Sequence, residues 1–112
     1  MSDQPYTLVT ASRAELLAEP APSVDRPQMK RIFHGPGTTI VRLTLAAGQV
    51  MREHATSAPL TVQVIEGDVR FGVAGDTIAM PAGAIIHVAG GITHELEAVT
   101  EAHMVLVLAT AL

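Results

Sequence analysis

The chain of 112 residues contains no cysteine and no tryptophan, and aromatic residues of any kind are few. Without cysteine it can form no disulfide framework, which favours a cytoplasmic protein. Tyr6, Phe33 and Phe71 are the aromatic residues. So small a number leaves few platforms on which sugar rings or bases could stack, and it disfavours a polysaccharide lectin.

Basic residues are scarce as well. Seven Lys and Arg residues against 11 Asp and Glu residues give a formal net charge of −4. This balance offers little attraction for nucleic acid or for an anionic membrane surface, so neither is an expected partner. The apolar runs are too short to span a bilayer, and the segment Met1–Pro5 lacks the basic and apolar pattern of a secretory leader.

The residues that are abundant predict one all-β domain. Hydrophobic residues make up 48% of the chain, which is enough for one core at this length. From Gln28 onward, short β-branched or alternating runs are separated by glycine and proline turns, as is typical of a sandwich or barrel. Arg42 and Thr44 alternate with apolar residues, which predicts a strand with one wet face. The predicted strands are Thr39–Leu45, Thr61–Glu66, Val69–Val73, Asp76–Met80, Ile85–Val88, His94–Ala98 and Ala102–Ala109.

The first 27 residues differ from the rest and are predicted to form an arm. Ser12 and Glu15 have the spacing of a helix capping box, Leu16 and Leu17 follow them, and Pro20 ends the run. A short helix and an ordered arm without regular structure both satisfy this pattern. The predicted domains are therefore an arm at residues 1–27 and a β-barrel at residues 28–112.

Two segments have a distinctive spacing of glycine and histidine. In the first, Gly48–Gly67, five residues separate the leading glycine from His54, and Thr56 and Leu60 follow two and six positions later. The second, Gly83–His94, has a further glycine three positions before its histidine. Together they resemble the two motifs of the cupin superfamily. The resemblance covers about residues 28–109 and implies a double-stranded β-helix, or jelly-roll barrel, with a short N-terminal arm or helix.

In that family the two motifs supply three histidines and a glutamate that hold a metal ion inside the barrel. Of these positions only His54 and His94 carry the family residue here, because Thr56 replaces the second histidine and Leu60 the glutamate. A first-row metal usually needs three or more protein ligands to be retained. The resemblance therefore implies at most a weakly held divalent metal, Zn, Ni, Fe, Cu or Mn, at His54 and His94. Alternatively, the two histidines hydrogen-bond each other or a buried polar group.

The same region predicts a ligand site in the barrel interior. Residues two apart on a strand face the same way, so Arg52 shares the side of His54 if no bulge intervenes. A guanidinium there would favour a small carboxylate or phosphate, and the alternative is a solvated residue at the rim. The predicted ligand-binding residues are Arg52, His54, Thr56, Leu60, Val62 and His94.

These residues leave three functions open. The first is binding of a small organic ligand, with a carboxylate among the candidates, and the loss of the glutamate favours it. The second is a metal-dependent cupin enzyme of the dioxygenase, isomerase or decarboxylase type, as the resemblance implies. The third is a structural or regulatory role through a dimer surface. A homodimer is expected in any case, because small barrels leave strand edges that a neighbour can cover.

Four further positions complete the sequence predictions. His34 and His103 are predicted to lie at the surface, the first beside a Gly-Pro-Gly turn and the second close to an acidic residue. Gly67 and Gly91 end turns and are predicted to need a positive φ, which glycine adopts without steric cost.

Overall fold

The computed structural model of the chain describes residues 5–110, apart from the side chains of Glu53 and His54. Over this range the chain forms one helix and nine strands. The elements are α1 (Arg13–Ala18), β1 (Gln28–Gly35), β2 (Thr38–Leu45), β3 (Val50–His54), β4 (Leu60–Glu66), β5 (Val69–Val73), β6 (Asp76–Met80), β7 (Ile85–Val88), β8 (His94–Ala98) and β9 (Ala102–Leu108).

The strands form two antiparallel sheets. The larger sheet has the order β1-β2-β9-β4-β7 and the smaller sheet the order β3-β8-β5-β6. Strands that follow one another in the chain often lie in opposite sheets, so the chain winds between the sheets as it does in a double-stranded β-helix. The all-β fold predicted from the sequence is confirmed.

The core lies between the inner faces of the two sheets. Leu43 and Val62 from the larger sheet and Phe71 and Leu96 from the smaller sheet belong to one cluster of buried residues. In β4 the buried side chains alternate with half-buried ones, because successive residues of a strand point to opposite faces. This period of two determines which side chains face the interior of the barrel.

The predicted strands are present, with ends that shift by at most one residue. β1 and β3 were absent from the prediction. Both have a register shift, between Arg31 and Phe33 in β1 and between Met51 and His54 in β3. An extra residue of this kind disrupts the alternation by which a strand is identified in a sequence.

Of the two alternatives for the N-terminal segment, the structure has the short helix, α1. The Ser12 side-chain oxygen accepts a hydrogen bond from the Glu15 backbone N–H at 3.1 Å, as the capping box requires. The helix has six residues and none of them is buried, so contacts with the barrel must stabilise it. Among the described residues there is no helix with the length and apolar character needed to cross a membrane.

The outer face of β2 is buried where helix α1 covers it. Arg42 is 1% exposed and Thr44 is fully buried, and His103 on the neighbouring β9 is 7% exposed. The backbone carbonyl of Leu16 in α1 accepts a hydrogen bond from Arg42 Nε at 2.6 Å. The predictions of a wet face on β2 and of a surface position for His103 are therefore wrong. Alternation shows which residues share a face, but it does not show what covers that face.

Candidate functional site

The two sheets enclose a cavity of about 160 Å³. Most of the side chains that line it are aliphatic, and they include Val62 and Leu106 of the larger sheet and Met51 of the smaller one. Thr56 and His94 are the polar side chains among the described residues of the lining. The barrel thus has an interior that is mainly apolar with two polar positions.

Leu60 occupies the position of the family's glutamate ligand. Its side chain lines the cavity and is 3% exposed. In the larger sheet it pairs with Val88 on one side and with Leu108 on the other. The place of a carboxylate is therefore taken by an isobutyl group in apolar surroundings, and it contributes no metal ligand.

His94 has a defined ring orientation at the cavity wall. The side chain is 3% exposed, and its ring stacks on Phe71 with centroids 5.6 Å apart and an interplanar angle of 11°. Nδ1 lies 3.1 Å from the carbonyl oxygen of Ile92. Because a carbonyl only accepts hydrogen bonds, Nδ1 carries the hydrogen of the neutral ring and the lone pair is on Nε2.

The other motif residues lie close to His94 in the fold. The backbone of His54 pairs with that of His94 across β3 and β8, but its side chain lies outside the described residues, so its ligand role stays a prediction. Thr56 lines the cavity, and its hydroxyl donates a hydrogen bond to the Ala58 carbonyl at 2.8 Å. The Thr56 oxygen can still accept a hydrogen bond from a ligand.

Arg52 is not among the residues that line the cavity. Its side chain is exposed, while the preceding residue, Met51, faces the interior. The register shift between Met51 and His54 explains the difference, because the parity rule that predicted an inward Arg52 requires a strand without a bulge. The structure thus corrects the predicted place of Arg52 in the cavity lining.

The loop at residues 55–59 is attached to the turn that precedes β8, and together they form part of the cavity rim. The Gly91 N–H donates a hydrogen bond to the Thr56 carbonyl at 2.7 Å. A Cβ atom on Gly90 would lie 2.4 Å from the Ser57 carbonyl oxygen, so this close approach requires glycine. Gly91 has the predicted positive φ, at 80°. The role of Gly90 was not visible in the sequence, because it depends on a contact between distant segments.

The described residues around His94 offer few metal ligands. Among the described side chains no group of three His, Cys, Asp or Glu residues could hold a metal ion. The Nδ1 of His94 is directed at the Ile92 carbonyl, as the non-ligating nitrogen of a metal-bound histidine commonly is. Leu60 cannot ligate, and Glu95 is exposed, as sheet parity predicts. Among the side chains that the structure describes, the residues around His94 do not supply three protein ligands for a metal.

Comparison with known proteins identifies the fold. No protein-family model and no curated protein matches the chain. A conserved protein of unknown function from Streptococcus pyogenes is 22% identical, with a TM-score of 0.80 over 92% of this chain and 90% of its own. An RmlC-like cupin from Desulfovibrio desulfuricans is 24% identical, with a TM-score of 0.80 over 92% of this chain and 100% of its own.

An enzyme also has a similar structure over part of its length. A mutant of salicylate 1,2-dioxygenase from Pseudoaminobacter salicylatoxidans is 20% identical, with a TM-score of 0.71 over 80% of this chain and 28% of its own. At such identities a structural likeness carries the fold and not the activity. The chain is therefore a small protein with the double-stranded β-helix fold of the cupin superfamily.

Proposed function

We propose that this protein binds a small, largely apolar organic molecule in the barrel cavity, with at most a weak metal site at its wall. The observation that carries the proposal is the interior cavity, in which aliphatic side chains surround His94 and Leu60 takes the place of a carboxylate. Ligand sites in proteins are typically concave and mostly apolar, with a few polar groups that orient the ligand. The barrel interior has this character.

The size of the cavity limits the ligand. The volume of about 160 Å³ is close to that of an engineered apolar cavity of about 150 Å³ in another protein that binds benzene or xenon. A ligand that fills it would have roughly six to eight non-hydrogen atoms by that comparison. Thr56 and His94 offer it hydrogen bonds at the wall. A monocyclic or short branched molecule with one or two polar atoms satisfies both conditions.

The charge of the lining favours a neutral ligand. The prediction of a carboxylate depended on Arg52, which does not line the cavity. No Lys or Arg is present among the described residues of the lining. Since a buried ion without a partner is costly, an uncharged molecule should bind more tightly than its anionic analogue.

We expect isobutyramide to raise the melting temperature more than the isosteric anion isobutyrate at neutral pH. At a concentration ten times its Kd, a ligand stabilises the folded state by about 1.4 kcal/mol. This corresponds to roughly 5–10 °C for a domain of this size. Thermal melts and calorimetry measure both molecules, and phenol serves as a larger neutral probe.

The variant Val62→Phe is the matched control, because it fills the cavity and leaves the rim unchanged. It should abolish the shifts, and circular dichroism shows whether it has folded. Binding of isobutyrate alone would mean that the ligand is an anion. If Val62→Phe keeps every shift, or if none of the three molecules binds, the cavity is not the ligand site.

A second candidate function is that of a metal-dependent enzyme. The orientation of His94, with Nδ1 directed at the Ile92 carbonyl, favours it. His54 and His94 would hold the metal, which would act as a Lewis acid on a bound substrate. Metal analysis of protein purified without a histidine tag distinguishes the candidates. We expect less than one metal ion per chain, and a stoichiometric metal would favour the enzyme.

We also propose that the protein is a homodimer and that residues 1–27 support the folded state. Deleting them removes the Leu16 carbonyl that accepts from the buried Arg42. Leaving a buried donor without its partner costs about 1–3 kcal/mol, so the melting temperature should fall. Light scattering and thermal melts of the full and shortened chains measure both properties. A monomer at micromolar concentration would overturn the dimer, and unchanged melting would mean that the arm contributes nothing.

A further inference from the structure

Helix α1 lies across the strands of the larger sheet, on its outer face. At its start, Arg13 Nη2 lies 3.1 Å from Glu66 Oε2, at the end of β4. Just after its last residue, Glu19 forms an ion pair with Lys30 in β1. All four side chains are largely exposed, so the two ion pairs contribute little to stability. The strongest contact of the helix must lie between them.

That contact is made by Arg42, which is 1% exposed. Its Nε donates to the Leu16 carbonyl at 2.6 Å, and Nη1 donates to the carbonyls of Leu43 at 3.0 Å and Met104 at 2.8 Å. Its Nη2 lies 3.1 Å from Nδ1 of His103. Burial lowers the pKa of the Arg42 guanidinium, but the group remains charged in the physiological range. A single buried cation thus joins α1 to β2 and β9.

His103 has a hydrogen-bond partner on each ring nitrogen. A guanidinium only donates, so Nδ1 of His103 must accept from Arg42 and carries no hydrogen. Nε2 therefore carries the hydrogen and donates it to Glu101 Oε2 at 2.9 Å. The surroundings of His103 fix the neutral ring in one tautomer.

Protonation of His103 would disrupt this arrangement, because the one acceptor near a new Nδ1–H among these residues is Thr44 Oγ1 at 3.5 Å, which already accepts from Arg42 Nη2 at 3.3 Å. Protonation would place an N–H on Nδ1, opposite an N–H of Arg42 at 3.1 Å, and would bring two positive charges together where both side chains are buried. Glu101 would offset part of this repulsion, but its side chain is 56% exposed and its charge is screened by solvent. The guanidinium would have to move, and its bond to Leu16 would be lost with it.

We propose that Arg42, His103 and Glu101 form a pH-sensitive clasp, which holds α1 on the barrel while His103 is neutral and releases it when His103 is protonated. The clasp is intact at high pH and is lost as the pH falls. Imidazole is the side-chain group that ordinarily changes its charge between about pH 5 and 8. The clasp acts independently of any ligand in the barrel cavity.

Other charged groups near the clasp lie on α1, β1 and β4 and on the residue that follows α1, and Glu15 and Arg31 line a surface pocket together with Arg42. Glu66 of β4 pairs with His103 in the sheet and is bound by Arg13 of α1. Lys30 of β1 pairs with Arg42 and binds Glu19. The hydrogen bond from Lys30 and the charge of Lys30 lower the pKa of Glu19, so this carboxylate stays ionised while histidine titrates and its ion pair cannot cause the release.

The chain has no cysteine, so the movement of α1 can be measured with a pair of introduced spin labels. Ala18→Cys at the end of α1 and Ala79→Cys on β6 are both exposed positions. Pulsed electron paramagnetic resonance measures the distance between the two labels. It should give one narrow distribution of distances at pH 7.5, and an additional broad component at longer distances at pH 5.5. Because one proton drives the release, the released population should rise by up to about tenfold per pH unit.

Two variants in the labelled chain identify the residues responsible. His103→Gln can accept from Arg42 and donate to Glu101 but does not titrate, so it should keep the narrow distribution at both pH values. Arg42→Met keeps the length of the side chain but removes its donors, so it should give the broad distribution at both.

If the labelled chain without a clasp substitution keeps the narrow distribution at pH 5.5, the proposal is overturned. Global unfolding at that pH, measured by circular dichroism, would also overturn it. Equal broadening in His103→Gln, or a narrow distribution in Arg42→Met, would also overturn it. If His103→Gln does not fold, the distance distributions of the labelled chain without a clasp substitution and of Arg42→Met still test the proposal.

Discussion

Replacing Gly67 by alanine is expected to lower the free energy of unfolding by about 2–5 kcal/mol, and the same change at Gly91 by only about 1–2 kcal/mol. Both glycines have positive φ, 93° and 80°. A Cβ atom at Gly67 would lie 2.2 Å from the Glu101 carbonyl oxygen and 2.9 Å from Ala102 Cα, whereas no atom lies within 4 Å of one at Gly91. Both substitutions place alanine at a positive φ, but only the one at Gly67 also produces a steric clash.

Chemical denaturation of both variants measures the difference. If both variants lose the same free energy of unfolding, the turn before β5 can shift to relieve the clash with the start of β9, and that clash does not destabilise the protein. His54→Ala is expected to cost less than Gly67→Ala, because this histidine is predicted to serve the pocket and not the fold. If His54→Ala proves the costlier change, His54 is a structural residue and its assignment to the site is wrong.

The double variant Leu60→Glu, Thr56→His should bind Zn or Ni more tightly than the natural chain, by a factor on the order of 100. It would restore the family's set of ligands around His94, whose Nδ1 is already directed at the Ile92 carbonyl. Leu60 is buried, so without metal the new carboxylate should lower the free energy of unfolding by about 2–5 kcal/mol. Added metal should reverse this loss, because it binds the folded state.

Calorimetry with each metal and thermal melts of the metal-free protein test both parts of this prediction. The matched control is Leu60→Gln with Thr56→His, which has the same shape but lacks the carboxylate. It should be destabilised and show much weaker rescue. If the natural chain binds metal as tightly as the double variant, another residue supplies the missing ligand and the enzyme becomes the better candidate function.

The fold could be predicted because two kinds of local pattern are preserved. Apolar residues alternate cleanly in β4, β5 and β8, and turn glycines such as Gly67 mark where the chain reverses. β1 and β3 escaped prediction because their register shifts interrupt the alternation. The same irregularity in β3 explains why Arg52 is absent from the cavity lining. One bulge thus caused both a missed strand and a misplaced site residue.

The candidate site was predictable in part. Thr56, Leu60, Val62 and His94 line the cavity, as the motif spacing predicted, and strand parity agrees for Leu60 and Val62 in β4. Which charged residue the barrel buries could not be predicted. Arg42 alternates with apolar neighbours as a solvent-facing residue would, and the carbonyl that covers it is 26 residues away in the sequence. Local patterns do not report such distant contacts.

The proposed clasp also has a consequence for the order in which the elements of this chain can pack during synthesis. Helix α1 is synthesised before its partners, since Arg42 follows Leu16 by 26 residues and Glu66 follows Arg13 by 53. Arg42 in turn needs His103, 61 residues further on in β9, which is inserted between β2 and β4. Because translation proceeds from the N-terminus, α1 emerges before β2 and β9, so the proposed clasp could form only after β9 has been added to the sheet.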